Sequence, residues 1–148
     1  MLESNMGDDV LDVELARATT APRTARRIVT ERFADELSDQ YLDTVRLLVS
    51  ELVTNAVIHG RGRITLRASR LNGDRLLVEV IDEGSGLEAA VRERDFEDPR
   101  AGGRGLTIVD AESSRWGIRK GTTHVWFELE RPGPRITGSA PSAVDEFA

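Results

Sequence analysis

Between residues 41 and 59 the chain places Leu42, Val45, Leu48, Val49, Leu52, Val53, Ala56 and Val57 at the 3.6-residue period of an amphipathic helix. Gly60 then stands where a helix C-cap belongs, with His59 in the last turn. So wide an apolar stripe demands a second layer to cover it, and the next segment supplies one. Residues 63–71 alternate apolar and polar, Asn72-Gly73 offers a tight turn, and residues 75–81 resume the alternation. An Asn-Gly pair between two alternating runs is a strong hairpin signal.

The flanking segments extend this pattern. Residues 17–37 read as an earlier helix, with Pro22 in its first turn and Ala25, Ile28, Val29, Phe33 and Leu37 at helical spacing. Its other face carries Arg23, Arg26, Arg27 and Arg32, a cluster more typical of a solvated face than of a binding patch. Residues 106–112 read as a short helix after a glycine turn, and residues 116–119 and 122–130 as two strands around Lys120-Gly121. The expected order is therefore α-α-β-β-α-β-β. It predicts an α+β fold of two layers, a mixed, mostly antiparallel sheet covered on one face by helices, and excludes a doubly wound Rossmann sheet. Residues 1–12 read as a flexible acidic lead-in, 13–131 as one domain, and 132–148 as a disordered tail rich in Pro, Gly, Ser and Ala. The charged stretch at 88–102 is longer than most loops of compact domains, as lids over binding sites are.

Composition removes several function classes. With 148 residues, 39% of them hydrophobic and 31% charged, the chain has the profile of one globular domain. It contains no cysteine, which rules out disulfides, thiolate metal sites and cysteine nucleophiles. A net charge of −6 argues against direct nucleic-acid binding, which needs a basic face. No apolar run approaches the ~20 residues of a membrane span. The acidic N-terminus lacks a basic-then-apolar leader pattern, so a cytoplasmic location is the expectation. Nineteen of the twenty basic residues are Arg, and no Gly-Lys-Ser/Thr loop exists. Phosphates would have to be held by backbone N–H groups, Mg²⁺ and Arg.

Three short segments carry residues suited to that task. Glu51, Asn55 and His59 lie at i, i+4 and i+8 and so stack along one side of the long helix. Asn55 offers a hard neutral oxygen of the kind Mg²⁺ accepts, and Glu51, one turn back, could take a proton from an attacking hydroxyl. The plainer reading is an amphipathic helix with Glu and Asn on its wet side. Asp82 ends a strand, where its carboxylate could accept from an amino group such as that of adenine. Gly84 and Gly86 then let the backbone approach a flat ring. Gly103, Arg104, Gly105 and Leu106 open a helix whose first N–H groups could receive phosphates. Taken alone, each glycine segment reads equally well as a turn or hinge.

In order and interval, however, the three segments resemble one family. Ser50-Glu51-Leu52-Val53-Thr54-Asn55-Ala56-Val57-Ile58-His59-Gly60 resembles the N box of the GHKL superfamily of ATPases and kinases. Asp82-Xaa-Gly84-Xaa-Gly86 is similar to its first glycine box, and Gly103-Arg104-Gly105-Leu106 to its second. Within the superfamily, residues 20–130 are similar to the stand-alone anti-sigma-factor serine/threonine kinases of bacteria. The resemblance implies ATP and Mg²⁺ as cofactors, Asn55 as the Mg²⁺ ligand, and Glu51 as the base that activates a partner's serine or threonine. It implies Asp82 as the adenine contact, Gly84 and Gly86 beside the base, and Gly103, Arg104, Gly105 and Leu106 around the phosphates. The implied partners are a sigma factor and an anti-anti-sigma-type protein, with the chain itself a homodimer. One departure stands out. Family members carry a Thr before the Val-aromatic pair of the last strand, and here that place holds His124, with Thr122 and Thr123 upstream. Strand side chains alternate, so only one of Thr123 and His124 can face the pocket, and Thr123 is preferred. Four functional readings remain open from sequence: a protein kinase, a switch in which ATP sets partner affinity without phosphate transfer, a self-contained ATPase, and a relative that binds no nucleotide.

Overall fold

The computed structural model describes residues 10–71, 75–84, 104–119 and 122–130. In chain order these residues form strand β1 (Val10–Leu15), helices α1 (Ala21–Phe33) and α2 (Asp39–His59), and strands β2 (Ile64–Leu71) and β3 (Arg75–Ile81). Helix α3 (Arg104–Glu112) and strands β4 (Arg115–Ile118) and β5 (Val125–Glu130) complete the set. The strands make one sheet in the order β1-β2-β3-β5-β4, and every neighbouring pair is antiparallel. This is the anticipated α+β architecture, with the helices packed on one face.

β1 corrects the expected order and the expected lead-in through residue 12. Leu11, Val13 and Leu15 pack against or into the core while Asp12 and Glu14 are exposed. That is the period of a half-buried strand. The acidic character of the segment concealed it, because the acids occupy the outward positions. Its pairing with β2 sets Leu15 opposite Ile64 and Val13 opposite Leu66.

α1 is shorter than residues 17–37. Pro22 lies in its first turn, and Ala21, Ala25, Val29 and Phe33 form its buried edge. Of the arginine face, Arg26 donates to Ser50 Oγ (2.7 Å) and Arg32 pairs with Glu36 (3.2 Å). Arg23, Arg26 and Arg27 line an open groove of about 380 Å³ together with Arg46 of α2. α2 begins two residues before the expected Tyr41, because Ser38 accepts the Tyr41 N–H (3.2 Å) and caps the helix. Tyr41, Leu42, Val45, Leu48, Val49, Leu52, Val53 and Ala56 are its buried stripe. Each fully buried Val or Leu there is worth roughly 1.5–3 kcal/mol relative to exposure.

The stripe rests on the sheet face formed by Ile64, Leu66 and Ala68 of β2, Leu76, Val78 and Val80 of β3, and Val125, Phe127 and Leu129 of β5. Val78 sits between Ala68 and Phe127, and Val80 between Leu66 and Val125. Tyr41 Oη donates to the Leu129 carbonyl (2.6 Å) and pins the N-terminal end of α2 to β5. Alternate strand residues point away from the helices. That second face is more polar, with Leu77, Ile81 and Trp126 half-buried among ion pairs in which Arg67 bridges Asp12 (3.5 Å) and Glu79 (3.9 Å) and Arg75 pairs with Glu128 (3.3 Å). Among the described residues no helix is long and apolar enough to cross a membrane.

Candidate functional site

At the C-terminal end of α2, three chain segments converge: the helix end at Gly60, the end of β3 at Asp82, and Thr123 just before β5. Asp82 continues the alternation of Leu76, Val78 and Val80, so its carboxylate turns to the helix side and is only 8% exposed. Its Oδ1 accepts the Gly84 N–H (2.7 Å) and the hydroxyl of fully buried Thr123. The first of these closes the small Asx turn that Asp favours at the start of a loop.

Two glycines make room for this carboxylate. A Cβ at Gly84 would lie 2.9 Å from Thr123 Oγ1 and 3.0 Å from Asp82 Oδ1. A Cβ at Gly60 would enter the Asp82 carboxylate and come within 2.7 Å of the Ala56 carbonyl. The Gly60 backbone is extended (φ −93°, ψ −167°), a conformation open to any residue. Gly60 therefore does not serve as a left-handed cap. Its requirement is the close passage of Asp82.

The surrounding loops are laced together. Glu83 N donates to Arg61 O (2.8 Å), and the Glu83 carboxylate pairs with Arg63 (3.3 Å). Gly62 between them has φ +66°, the one left-handed residue described, where a Cβ would meet the Glu83 side chain. Arg17, from the β1–α1 connection, donates to the carbonyls of Ala56 (2.9 Å), Val57 (3.0 Å) and Gly62 (2.9 Å). A guanidinium over the last carbonyls of a helix complements the dipole, here adding to the Gly60 N–H that the Ala56 carbonyl already accepts.

Glu51 and Asn55 are half-buried on α2, leading toward the Gly60 end. Among the described residues Glu51 makes no hydrogen bond or ion pair. Arg104, Gly105 and Leu106 are the first turn of α3, so that helix starts two residues before the expected Leu106. Their N–H groups are among those that a helix leaves without internal partners. α3 is anchored by buried Val109 and by a hydrogen bond from Trp116 Nε1 to Asp110 Oδ1 (2.9 Å). Gly86, Gly103, the stretch 88–102, the Asn72-Gly73 turn, Lys120-Gly121 and the tail 132–148 lie outside the described residues.

Thr123 and His124 take opposite faces. Thr123 meets Asp82 on the helix side, while His124 Nε2 lies 3.1 Å from Glu79 Oε2 on the polar face. The His124 hydrogen bond, with the charges of His124, Arg67 and Arg119, holds the Glu79 carboxyl below its ordinary 4.5, against the opposing effect of burial. Sequence reasoning preferred Thr123, with a local shift, because only one of the two neighbours can face the pocket and the family resemblance asks for a Thr there. It did not reach Arg17, whose partners lie about forty residues away, nor the reason for Gly60.

Residues 15–129 match the family model described as the histidine kinase-like ATPase domain. The chain is 32% identical over 95 residues to an anti-sigma F factor of Clostridium acetobutylicum, covering 57% of this chain and 66% of the relative. It is 35% identical over 95 residues to an anti-sigma F factor of a Thermoanaerobacter species, covering 56% of this chain and 65% of that protein. The chain thus spans just under two thirds of the length of these relatives. A crystal structure of the RsbU and RsbW domains of a Mycobacterium tuberculosis protein superposes on 86% of this chain and 34% of its own, with TM-score 0.61 and 24% identity. That likeness bears on the fold.

Proposed function

Since the chain belongs to the histidine kinase-like ATPase domain family, we propose that it binds Mg-ATP at the Gly60–Asp82–Thr123 site and transfers the γ-phosphate to a serine or threonine of an anti-anti-sigma-type protein, while also sequestering a sigma factor in the cytoplasm. The observation that carries the reading is the buried Asp82 carboxylate, held by Thr123 and the Gly84 N–H between two glycines that leave it room. A carboxylate fixed in this way has acceptor capacity for the exocyclic amino group of adenine.

Asn55 fits the role of Mg²⁺ ligand. Among the described residues no three His, Asp or Glu side chains converge on a metal position. A bound Mg²⁺ would lean on Asn55, water and phosphate oxygens, its usual arrangement beside a nucleotide. When bound, the ion would supply neutralisation of the phosphate charge, which together with positioning makes up most of catalysis in phosphoryl transfer. Glu51, four residues before Asn55 on the same helix and without a charged partner among the described residues, takes the proton of the attacking hydroxyl. In this reading the first turn of α3, at Arg104, Gly105 and Leu106, together with Gly103, would border the phosphates, and Gly86 would serve beside the base. A homodimer belongs to the same reading.

The test is transfer of labelled γ-phosphate from ATP to a purified anti-anti-sigma-type protein from the same genome. Glu51→Gln should keep nucleotide binding and lose transfer by about 10²-fold or more. Transfer at the wild-type rate would remove Glu51 from the role of base. Nucleotide-dependent partner binding with no transfer in the wild type would favour a switch over a kinase.

A further inference from the structure

The β3–β5 ladder ends at the pair Val80–Val125, so Thr123 lies beyond its last pairing, in a turn whose flanking residues are backbone-bonded to Arg119. Yet Thr123 must be placed closely, because its hydroxyl meets Asp82 in a fully buried position where a Cβ at Gly84 would already crowd it. Something other than the ladder sets its register.

The adjacent residue, on the opposite face, supplies the constraint. The His124 and Glu79 side chains are 12% and 15% exposed and meet at 3.1 Å, forming a diagonal cross-strand pair two positions beyond the Glu79–Trp126 pairing. Glu79 is steadied in turn by Arg67, which also reaches Asp12 of β1. The backbone around His124 is tied as well. Its N–H donates to Thr122 Oγ1 (3.0 Å), and its carbonyl accepts the Arg119 N–H (2.9 Å). Thr122 closes the turn back onto the Arg119 carbonyl through both its N–H (3.0 Å) and its hydroxyl (2.7 Å).

We infer that His124 is a positioning residue for base recognition: by clamping to Glu79 on the polar face, it holds Thr123 against Asp82 on the other and so sharpens the preference for adenine. This rests on the reading of Asp82 as acceptor of the adenine amino group. His124 touches neither Asp82 nor the nucleotide in this account. It acts through the chain direction at Thr123, since neighbouring strand residues move as one rigid peptide unit. Weakening the clamp lets Thr123 swing, and Oδ1 of Asp82 keeps the Gly84 N–H but loses the Thr123 hydroxyl. The loss falls on ligands that use the carboxylate and spares those that do not.

The experiment compares the affinity of the full-length chain for ATP and for inosine triphosphate, which carries a carbonyl where adenine has its amino group. Wild type, Asp82→Asn, His124→Ala, His124→Gln and Glu79→Gln would be titrated in parallel, each with its folded state checked by circular dichroism. The expected result is a wild-type preference for ATP that is abolished in Asp82→Asn and lowered roughly five- to tenfold in His124→Ala. Inosine triphosphate affinity should be unchanged in His124→Ala, and His124→Gln, which retains an N–H donor, should recover most of the preference. If His124→Ala does not fold, Glu79→Gln is read in its place. A preference lost in Asp82→Asn but intact in His124→Ala and Glu79→Gln overturns the positioning role alone. Equal losses for both nucleotides also overturn it, because they mark a general structural effect. Equal wild-type affinity for the two nucleotides overturns both the inference and the reading beneath it.

Discussion

Replacing Thr123 with Val isolates the central hydrogen bond of the site. The two side chains share a shape, and Thr123 is fully buried, so packing is preserved while the hydroxyl is lost. Asp82 would keep the Gly84 N–H but lose its second donor to Oδ1. At 8% exposure the carboxylate gains little from solvent in exchange. A hydrogen bond to a charged group is worth about 1.5–3 kcal/mol net, and with one donor retained we expect a loss of about 2 kcal/mol. In a domain of this size that lowers the melting temperature by roughly 5–12 °C. The assay is urea unfolding at pH 7 of wild type, Thr123→Val, Asp82→Asn and the double variant. In the Asp82→Asn background the effect of Thr123→Val should shrink, giving a coupling of about 1 kcal/mol or more. A single-variant effect below about 0.5 kcal/mol, or strict additivity in the cycle, would refute the view that Thr123 holds Asp82.

Two further outcomes follow from the packing and charge around the site. Gly60→Ala should cost about 1–3 kcal/mol in the same unfolding assay despite its unstrained backbone, because the new methyl meets Asp82 and the Ala56 carbonyl. A neutral or stabilising effect would show that Asp82 can move aside freely. Glu79 has a folded-state pKa depressed below 4.5, chiefly by the His124 hydrogen bond, so its contribution is present above pH 4.5 and is lost as pH falls through the lowered value. The stability gap between wild type and Glu79→Gln, which also disturbs Arg67 and Arg119, should be largest near neutrality and narrow as pH falls through that lowered value. A gap independent of pH from 3.5 to 7 would mean the carboxylate charge contributes nothing.

What the amino-acid pattern could reveal followed periodicity. α2 was legible because its eight buried residues repeat cleanly, and β2 and β3 because their alternation is unbroken around Asn72-Gly73. β1 was not, since Asp12 and Glu14 dominate the local composition even though Leu11, Val13 and Leu15 hold the inner positions. At the site, Asp82 and Thr123 could be assigned to the helix side by counting from Val80 and Val125, a local inference from strand geometry. Arg17 and Gly60 could not, for their reasons are tertiary. Arg17 reaches carbonyls across the fold, and Gly60 is small because a carboxylate from another strand passes over it. No local propensity encodes either requirement.

The most direct test of the account is calorimetric titration of ATP with Mg²⁺ into the purified protein and into folded Asn55→Ala and Asp82→Asn variants. The account predicts saturable binding with one nucleotide per chain, weakened about tenfold or more in both variants. No binding to the wild type, or binding that neither variant changes, would contradict it.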